Sequence, residues 1–457
     1  MNINRFFSNS KNLMKLAYPI LIAQLIQNLM GFADTVMAGR VSATDMAAVA
    51  VASSVWLPLI LAISGLIMAL ASIISQLSGA NQFDNIAKAS YQTAWIAVFF
   101  SIIIIILYYI ATPLLIDSIA MEPELKQLMF DYLGYIVWGG PGYCLYLVLR
   151  NYSEGLSFSR PTMIISILGL LINIPANYIF IYGEFGMPAL GGAGCGLATA
   201  IVYWVMFVGM LAYAYYSKHL KQAPLFTQFY WPQWSEIKVI LALGTPIAFS
   251  LLFEVSLFAA VAIILIPFGA HVVASHQIAI NFSGLVFMVP LSLAMAVTIK
   301  VGFEVGNKNL EKAKELCRYS VILGLIIAVA TAAATLIFKT QIAAIYTSDT
   351  EVLELAAGLM FLAALFQFSD AIQVISAGAL RGYKDTKSIL YITFFSYWVV
   401  GLSFGLILGL TDWIAPASGP YGFWIGFISG LTVAAVLLAW RLKVVQNRFD
   451  QQAALTS

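Results

Sequence analysis

Residues 46–78 read MAAVAVASSVWLPLILAISGLIMALASIISQLS, a stretch without a charged side chain. A bilayer core about 30 Å thick is crossed by about 20 helical residues. The stretch is therefore long enough for a tilted spanning helix, and Pro58 is a place where it can bend. It is apolar on every face, whereas a membrane β-strand alternates over about ten residues. Lipid offers the backbone no hydrogen-bonding partner, so a helix is the conformation that satisfies it.

Working outward from this segment, charge-poor runs give twelve spans: 13–38, 47–78, 90–112, 128–150, 161–183, 192–216, 238–266, 274–299, 316–338, 355–379, 387–410 and 419–441. The composition agrees. Of 457 residues, 61% are hydrophobic and 10% charged, against about 25% charged in a soluble domain. Too little charge is present to cover a water-facing surface. The basic start (Arg5, Lys11, Lys15) leads into an apolar run with no small-residue cleavage site, so it reads as a first span and not as a signal peptide. Cys144, Cys195 and Cys317 lie in or beside apolar runs without a CxxC pair and read as small apolar fillers.

Lys and Arg set the orientation. With the N-terminus in the cytoplasm, 20 of the 23 basic residues fall on cytoplasmic segments, leaving Arg40, Lys126 and Lys339 outside. Both termini are then cytoplasmic. Arg150 and Arg381, at span ends, read as anchors in the headgroup layer. His219, His271 and His276 read as loop or span-end residues that make no metal set.

The two halves repeat. Lys15-Leu-Ala-Tyr-Pro19-Ile matches Ala242-Leu-Gly-Thr-Pro246-Ile, and the segment from Gly79 to Lys88 matches Gly306 to Lys314. Leu149-Arg150-Asn-Tyr152 matches Leu380-Arg381-Gly-Tyr383, and Pro188, Gly191 and Gly194 match Pro416, Gly419 and Gly422. Each copy has an even number of spans, so the copies insert with the same sense and are related by an axis along the membrane normal. The expected organisation is a six-helix lobe over 1–216, a cytoplasmic linker over 217–237 and a second six-helix lobe over 238–457.

Asp34, Glu254 and Asp370 are the carboxylates well inside the spans. Such a group costs roughly 2.5–3.5 kcal/mol at the bilayer centre on insertion scales and normally marks an ion or proton route. The alternative is a structural carboxylate bonded to hydroxyls or backbone. The repeat places Gln27 opposite Glu254, Val261 opposite Asp34 and, through the Arg150/Arg381 match, Gly139 opposite Asp370. None is duplicated, which points to specialised halves. Ser250, Ser256 and Ser369 are possible further oxygen ligands near Glu254 and Asp370. Asn173 and Asn177 share a helical face and need a polar partner. That partner is Asp34, directly or through a cation, or else backbone near Pro175.

These motifs together resemble the multidrug and toxic compound extrusion (MATE) family, in particular its NorM-type bacterial subgroup. The matching stretches are Gly31–Gly39 around Asp34, Gly169–Asn177, Leu190–Ala200, Glu254, and Ser369–Gln373 leading to Leu380–Asp385. The resemblance covers about residues 10–440. It implies an all-α, V-shaped twelve-helix exporter in the bacterial inner membrane, monomeric, that exchanges cationic or amphiphilic drugs for Na⁺ and/or H⁺ by alternating access. It implies a second-lobe cation site at Glu254 and Asp370, with Na⁺ as one possible occupant. It also implies a first-lobe site at Asp34 with Asn173 and Asn177 in support. Other branches often carry an acid at one of the fifth-span positions, so Asn177 departs from a first-lobe Na⁺ site of that kind. No cofactor, enzymatic activity or nucleic-acid partner is expected. A GxxxxGK[ST] loop is missing, so ATP does not drive the process directly. The alternatives are a lipid-linked precursor flippase, which should carry basic residues within its spans, and a membrane-embedded enzyme, for which no zinc or nucleophile motif appears.

Overall fold

The computed structural model describes residues 3–118 and 121–456, and side-chain surroundings for 3–113 and 121–455. The first half holds α1 (Ile3–Gly39), α2 (Ala43–Ile67), α3 (Ala69–Gly79), α4 (Phe83–Ser118), α5 (Pro123–Gly155), α6 (Arg160–Tyr182) and α7 (Ala193–Tyr216). The second holds α8 (Trp234–Ile264), α9 (Ala270–Gly306), α10 (Leu310–Tyr346), α11 (Thr350–Gly382), α12 (Thr386–Phe394), α13 (Ser403–Leu410) and α14 (Pro420–Thr456). Helices α2 and α3 form one span, interrupted at Met68 and not at Pro58. Helices α12 and α13 form another, joined by a π-helical stretch at Phe395–Leu402.

Eleven of these spans are long and apolar enough, among the described residues, to cross a membrane. The twelfth is α5, of 33 residues. It is rich in Tyr and Gly because it packs against α2, α4 and α7, and its Tyr146 and Tyr152 are fully buried. A helix surrounded by protein has no need of a lipid-compatible surface.

Helix ends follow local chemistry. Asn309 Oδ1 accepts from the Lys312 N–H at 3.2 Å, and Asp349 Oδ1 from the Glu351 N–H at 2.9 Å, as capping residues do. Left-handed residues follow the helices, and here the repeat becomes measurable. Asn81 and Lys308 have φ of 56° and 59°, and Ser157 and Lys384 have φ of 70° and 62°. The separation in sequence is the same for both pairs, and it is also the separation of Pro19 from Pro246. The Gln82 and Asn309 N–H groups bond back to Leu77 and Glu304, and those of Phe158 and Asp385 to Ser153 and Leu380. This is the six-to-one bond of a Schellman turn, made four times.

That constant offset corrects one match. Helices α5 and α11 begin at Pro123 and Thr350 and end at Gly155 and Gly382, the same separation again at both ends. Arg381 is therefore the counterpart of Glu154, and Arg150 the counterpart of Ala377. Asp370 corresponds to Tyr143 in the repeat instead of Gly139. Matching identical residues had slipped the alignment by about one helical turn, because the Leu-Arg-x-Tyr likeness competes with an unmarked turn position.

The chain divides into two compact units. One comprises Pro19–Ala248, the other Met1–Tyr18 with Phe249–Ser457. The divisions fall inside α1 and α8, beside the repeat-matched Pro19 and Pro246. The core of the first unit gathers around α5, with Ile67, Leu70, Ile74, Tyr146, Val202 and Met206. That of the other gathers Leu257, Met360, Ala363, Tyr397, Trp424 and Phe427.

Candidate cation sites

Two glycines seat a site-bearing helix closely against its neighbour. A Cβ on Gly196 of α7 would lie 2.5 Å from the Tyr132 carbonyl oxygen of α5, and one on Gly378 of α11 would lie 2.5 Å from the Ala294 carbonyl oxygen of α9. Both contacts are backbone against helix, so no larger residue fits. Thr298 Oγ1 adds a hydrogen bond to the Gly378 carbonyl at 2.8 Å.

In the Pro19–Ala248 unit, Asp34 of α1 is 5% exposed and fully engaged. Asn177 Nδ2 donates to Oδ1 at 2.6 Å, Asn173 Nδ2 donates to the same oxygen at 3.1 Å, and Thr199 Oγ1 donates to Oδ2 at 2.9 Å. Asn177 Nδ2 also reaches Asn173 Oδ1 at 3.1 Å. The contact between Asp34 and the two carboxamides is direct. Asn177 Oδ1 is buried without a partner. Thr199 was missed by sequence reasoning, although it lies in the Leu190–Ala200 motif: one hydroxyl on an apolar helix gives no sign of which helix it faces.

Asp45 was also missed. Its carboxylate accepts from the Ser42 hydroxyl at 2.5 Å and from the Gly192 N–H at 2.5 Å, tying the start of α2 to the start of α7. The same helix α7 carries Thr199, so this clasp bears on the Asp34 network.

The second unit is assembled differently. Asp370 of α11 is 3% exposed, and its Oδ1 has no hydrogen-bond partner. Glu254 of α8 is partly buried and lies within electrostatic reach of Asp370. Tyr397, on the π-helical stretch, lies within electrostatic reach of both carboxylates. Such stretches occur often at functional sites. Trp398 Nε1 donates to the Phe253 carbonyl at 3.3 Å and so holds that stretch beside α8. Gln367 Oε1, Gln373 Oε1, Ser376 Oγ and Tyr397 OH are buried and unpartnered. Asp370 also lines a narrow cavity of about 10 Å³, with Ser283, Pro290, Gly324 and Gln367, room for about one water.

Two of the three predicted serine ligands, Ser256 and Ser369, bond elsewhere. Ser256 Oγ donates to the Phe253 carbonyl at 3.1 Å, and Ser369 Oγ pairs with Thr432 Oγ1 at 2.7 Å. Two further readings change. Arg150 and Arg381 are 5% and 6% exposed, so both side chains are enclosed by protein and do not reach out to headgroups from the surface. His276 is fully buried inside α9, its Nδ1 accepting from Trp424 Nε1 at 3.3 Å. Among the described residues no group of three or more His, Cys, Asp or Glu side chains gathers into a metal set. The oxygen groups of the Glu254/Asp370 region suit a hard cation or a proton.

The MatE family model matches the chain twice, over residues 19–179 and 246–407, and the two matches start at the repeat-matched Pro19 and Pro246. The chain belongs to the MatE family. It is 50% identical over 438 residues to the Probable multidrug resistance protein NorM of Shewanella oneidensis, covering 96% of this chain and 95% of that one. It is 50% identical over 449 residues to the Multidrug resistance protein MdtK of Photorhabdus laumondii, covering 98% of each. Among solved structures, MATE in the bent conformation superposes with a TM-score of 0.88 at 21% identity, covering 98% of this chain and 97% of that one. The eukaryotic MATE transporter AtDTX14 gives 0.84 at 18%, covering 98% and 99%. These last two speak to fold alone. Within the MatE matches, Asp34, Asn173 and Asn177 fall in the first and Glu254 and Asp370 in the second, while Thr199 lies outside both.

Proposed function

We propose that this MatE protein is a secondary active multidrug efflux transporter, exporting cationic or amphiphilic drugs in exchange for Na⁺ and/or H⁺ by alternating access. It works as a monomer in the bacterial inner membrane with both termini in the cytoplasm. The two repeats form its two lobes, joined through residues 217–237. Near-full-length likeness to relatives named for multidrug resistance supports the substrate class.

The observation that carries the coupling is the contrast between the two carboxylate sites. Asp34 has every near donor already committed to it, so it suits a proton that comes and goes within a fixed cage of hydrogen bonds. Glu254 and Asp370 sit among oxygens that have no partner. An unpartnered polar group in a low-dielectric interior costs free energy, and a Na⁺ or a proton at these carboxylates relieves that cost. Asp370 Oδ1, Gln373 Oε1, Ser376 Oγ and Tyr397 OH are the groups that would hold it. Na⁺ and H⁺ are cargo, and the protein supplies ligands and a route.

The test uses purified protein in liposomes, with ethidium efflux followed under an imposed Na⁺ gradient and, separately, an imposed pH gradient. Glu254→Gln and Asp370→Asn are each expected to abolish gradient-driven efflux while the protein stays folded. Wild-type rates in both variants would remove the second site from the cycle. Asp34→Asn is expected to alter the pH response, and an unchanged response would remove the first.

A further inference from the structure

Residues 222–235, in the segment that joins the two repeats, carry no charged side chain, and five of them are aromatic: Phe226, Phe229, Tyr230, Trp231 and Trp234. A connection that runs through water is usually polar. This composition is instead that of a membrane interface, where Trp and Tyr gather at headgroup level. Lys218 and Lys221 precede the stretch and Lys238 follows it, as basic residues that seek anionic headgroups would.

The segment is pinned to the first unit. Tyr152 OH of α5 donates to the Ala223 carbonyl at 2.6 Å. On α4, Trp95 Nε1 donates to the Tyr230 carbonyl at 3.1 Å. Gln92 Nε2 donates to the Trp231 carbonyl at 2.9 Å, and Gln92 Oε1 accepts from the Gln233 N–H at 2.8 Å. Lys88 pairs with Glu236 at 2.8 Å. Gln92 is fully buried, and its two bonds account for an amide on an apolar span: it satisfies backbone groups that no helix or strand takes up. The rings follow the backbone. Trp231 stacks on Trp95 with centroids 6.4 Å apart and planes at 12°, and Phe229 meets Tyr91 edge-on at 5.4 Å.

Helix α4 decides what lies beyond these rings. Tyr91, Trp95, Phe99, Ile102 and Ile106 recur every three or four residues and so form one stripe of the helix. Phe99, Ile102 and Ile106 are exposed on a helix long and apolar enough to cross a membrane, and lipid is what covers them. The joining segment covers the beginning of the same stripe, so its outer rings continue the lipid-facing surface. Trp231 and Trp234 are 72% and 63% exposed, and Phe226 and Phe229 are exposed beside them. A cluster of exposed aromatic rings marks a contact surface. Its depth is bounded, because irregular backbone is not tolerated facing lipid within the hydrocarbon region.

We propose that residues 226–234 are an interfacial membrane anchor, with their rings seated about 5–10 Å into the boundary between headgroups and acyl chains. The partner is the lipid surface itself. The connection between the repeats is then a ledge fixed to α4 and to one leaflet, not a free tether. The inference needs the membrane class alone and is independent of the drug and the coupling ion.

The test places a thiol-reactive environment-sensitive dye on Trp231→Cys, with Gln451→Cys on the exposed end of α14 as the water-facing control. The native Cys144, Cys195 and Cys317 are buried, and unmutated protein carried through the labelling gives the background. In liposomes of phosphatidylcholine and phosphatidylglycerol, aqueous iodide should quench the dye at 231 several-fold less than at 451. Lipids with a nitroxide near the headgroup end of the acyl chain should quench it several-fold more than lipids with a nitroxide at the chain end. Iodide quenching equal to the control overturns the proposal, as does strongest quenching from the chain end. Protection from both iodide and lipid means that protein covers the rings, and overturns it too. Trp234→Cys, read in the same way, covers the case where loss of the stack on Trp95 unseats the segment.

Discussion

Glu154→Gln tests whether the buried pair on α5 balances its own charge. The Glu154 side chain is 0% exposed, Arg150 is 7% exposed, and Nε lies 2.8 Å from Oε1. Breaking such a pair from one side strands the other charge, at a cost of about 3–5 kcal/mol. The glutamine still offers an oxygen to Arg150 Nε, and a retained hydrogen bond returns about 1 kcal/mol. The expected loss is therefore about 2–4 kcal/mol. Arg150→Met with Glu154→Gln removes the stranded charge and should recover about 2 kcal/mol or more of that loss, because replacing both members of a buried pair is often near neutral. The assay is denaturant unfolding in detergent micelles followed by tryptophan fluorescence, run as a double-mutant cycle. A loss under about 1 kcal/mol for Glu154→Gln would refute the reasoning, as would a double variant whose cost equals the sum of the singles.

Thr199→Val keeps the shape of the side chain and removes one donor to Asp34, so ethidium efflux should fall about tenfold or more, with Thr199→Ser restoring it; equal rates in both variants would show that the hydroxyl is only packing. Gly196→Val should cost about 3 kcal/mol or more, because the Tyr132 backbone cannot retreat, and a normal yield and thermal midpoint would contradict the close approach of α7 to α5. Asp45→Ala removes acceptors from Ser42 and the Gly192 N–H and should cost about 1–2 kcal/mol, read as a lower midpoint.

Of the candidate site, the contact of Asp34 with Asn173 and Asn177 was legible because two carboxamides four residues apart on an apolar face need a polar partner, and few are available within the membrane. Thr199 and Tyr397 were not legible, since a single hydroxyl on an apolar helix is consistent with any neighbour. Ser256 and Ser369 misled for a related reason. Closeness in sequence does not decide direction, and Ser256 satisfies itself on its own helix while Ser369 turns to Thr432. The two arginines misled more instructively. Their positions at span ends suggested headgroups, yet both side chains are enclosed by protein.

The sequence by itself determined the membrane class, the twelve helical spans and the duplication. Each follows from properties that add along the chain: apolar length against bilayer thickness, backbone polarity without water, and turn residues recurring at a near-constant offset. The tertiary structure decided the register of the repeat and the balance of buried charge. Arg381 corresponds to Glu154 because both ends of α5 and α11 and the left-handed turns at Asn81/Lys308 and Ser157/Lys384 recur at a single offset. Whether a buried charge is answered depends on which helix faces meet. That is a property of pairs, as far apart as Asp34 and Thr199, and only packing brings them together.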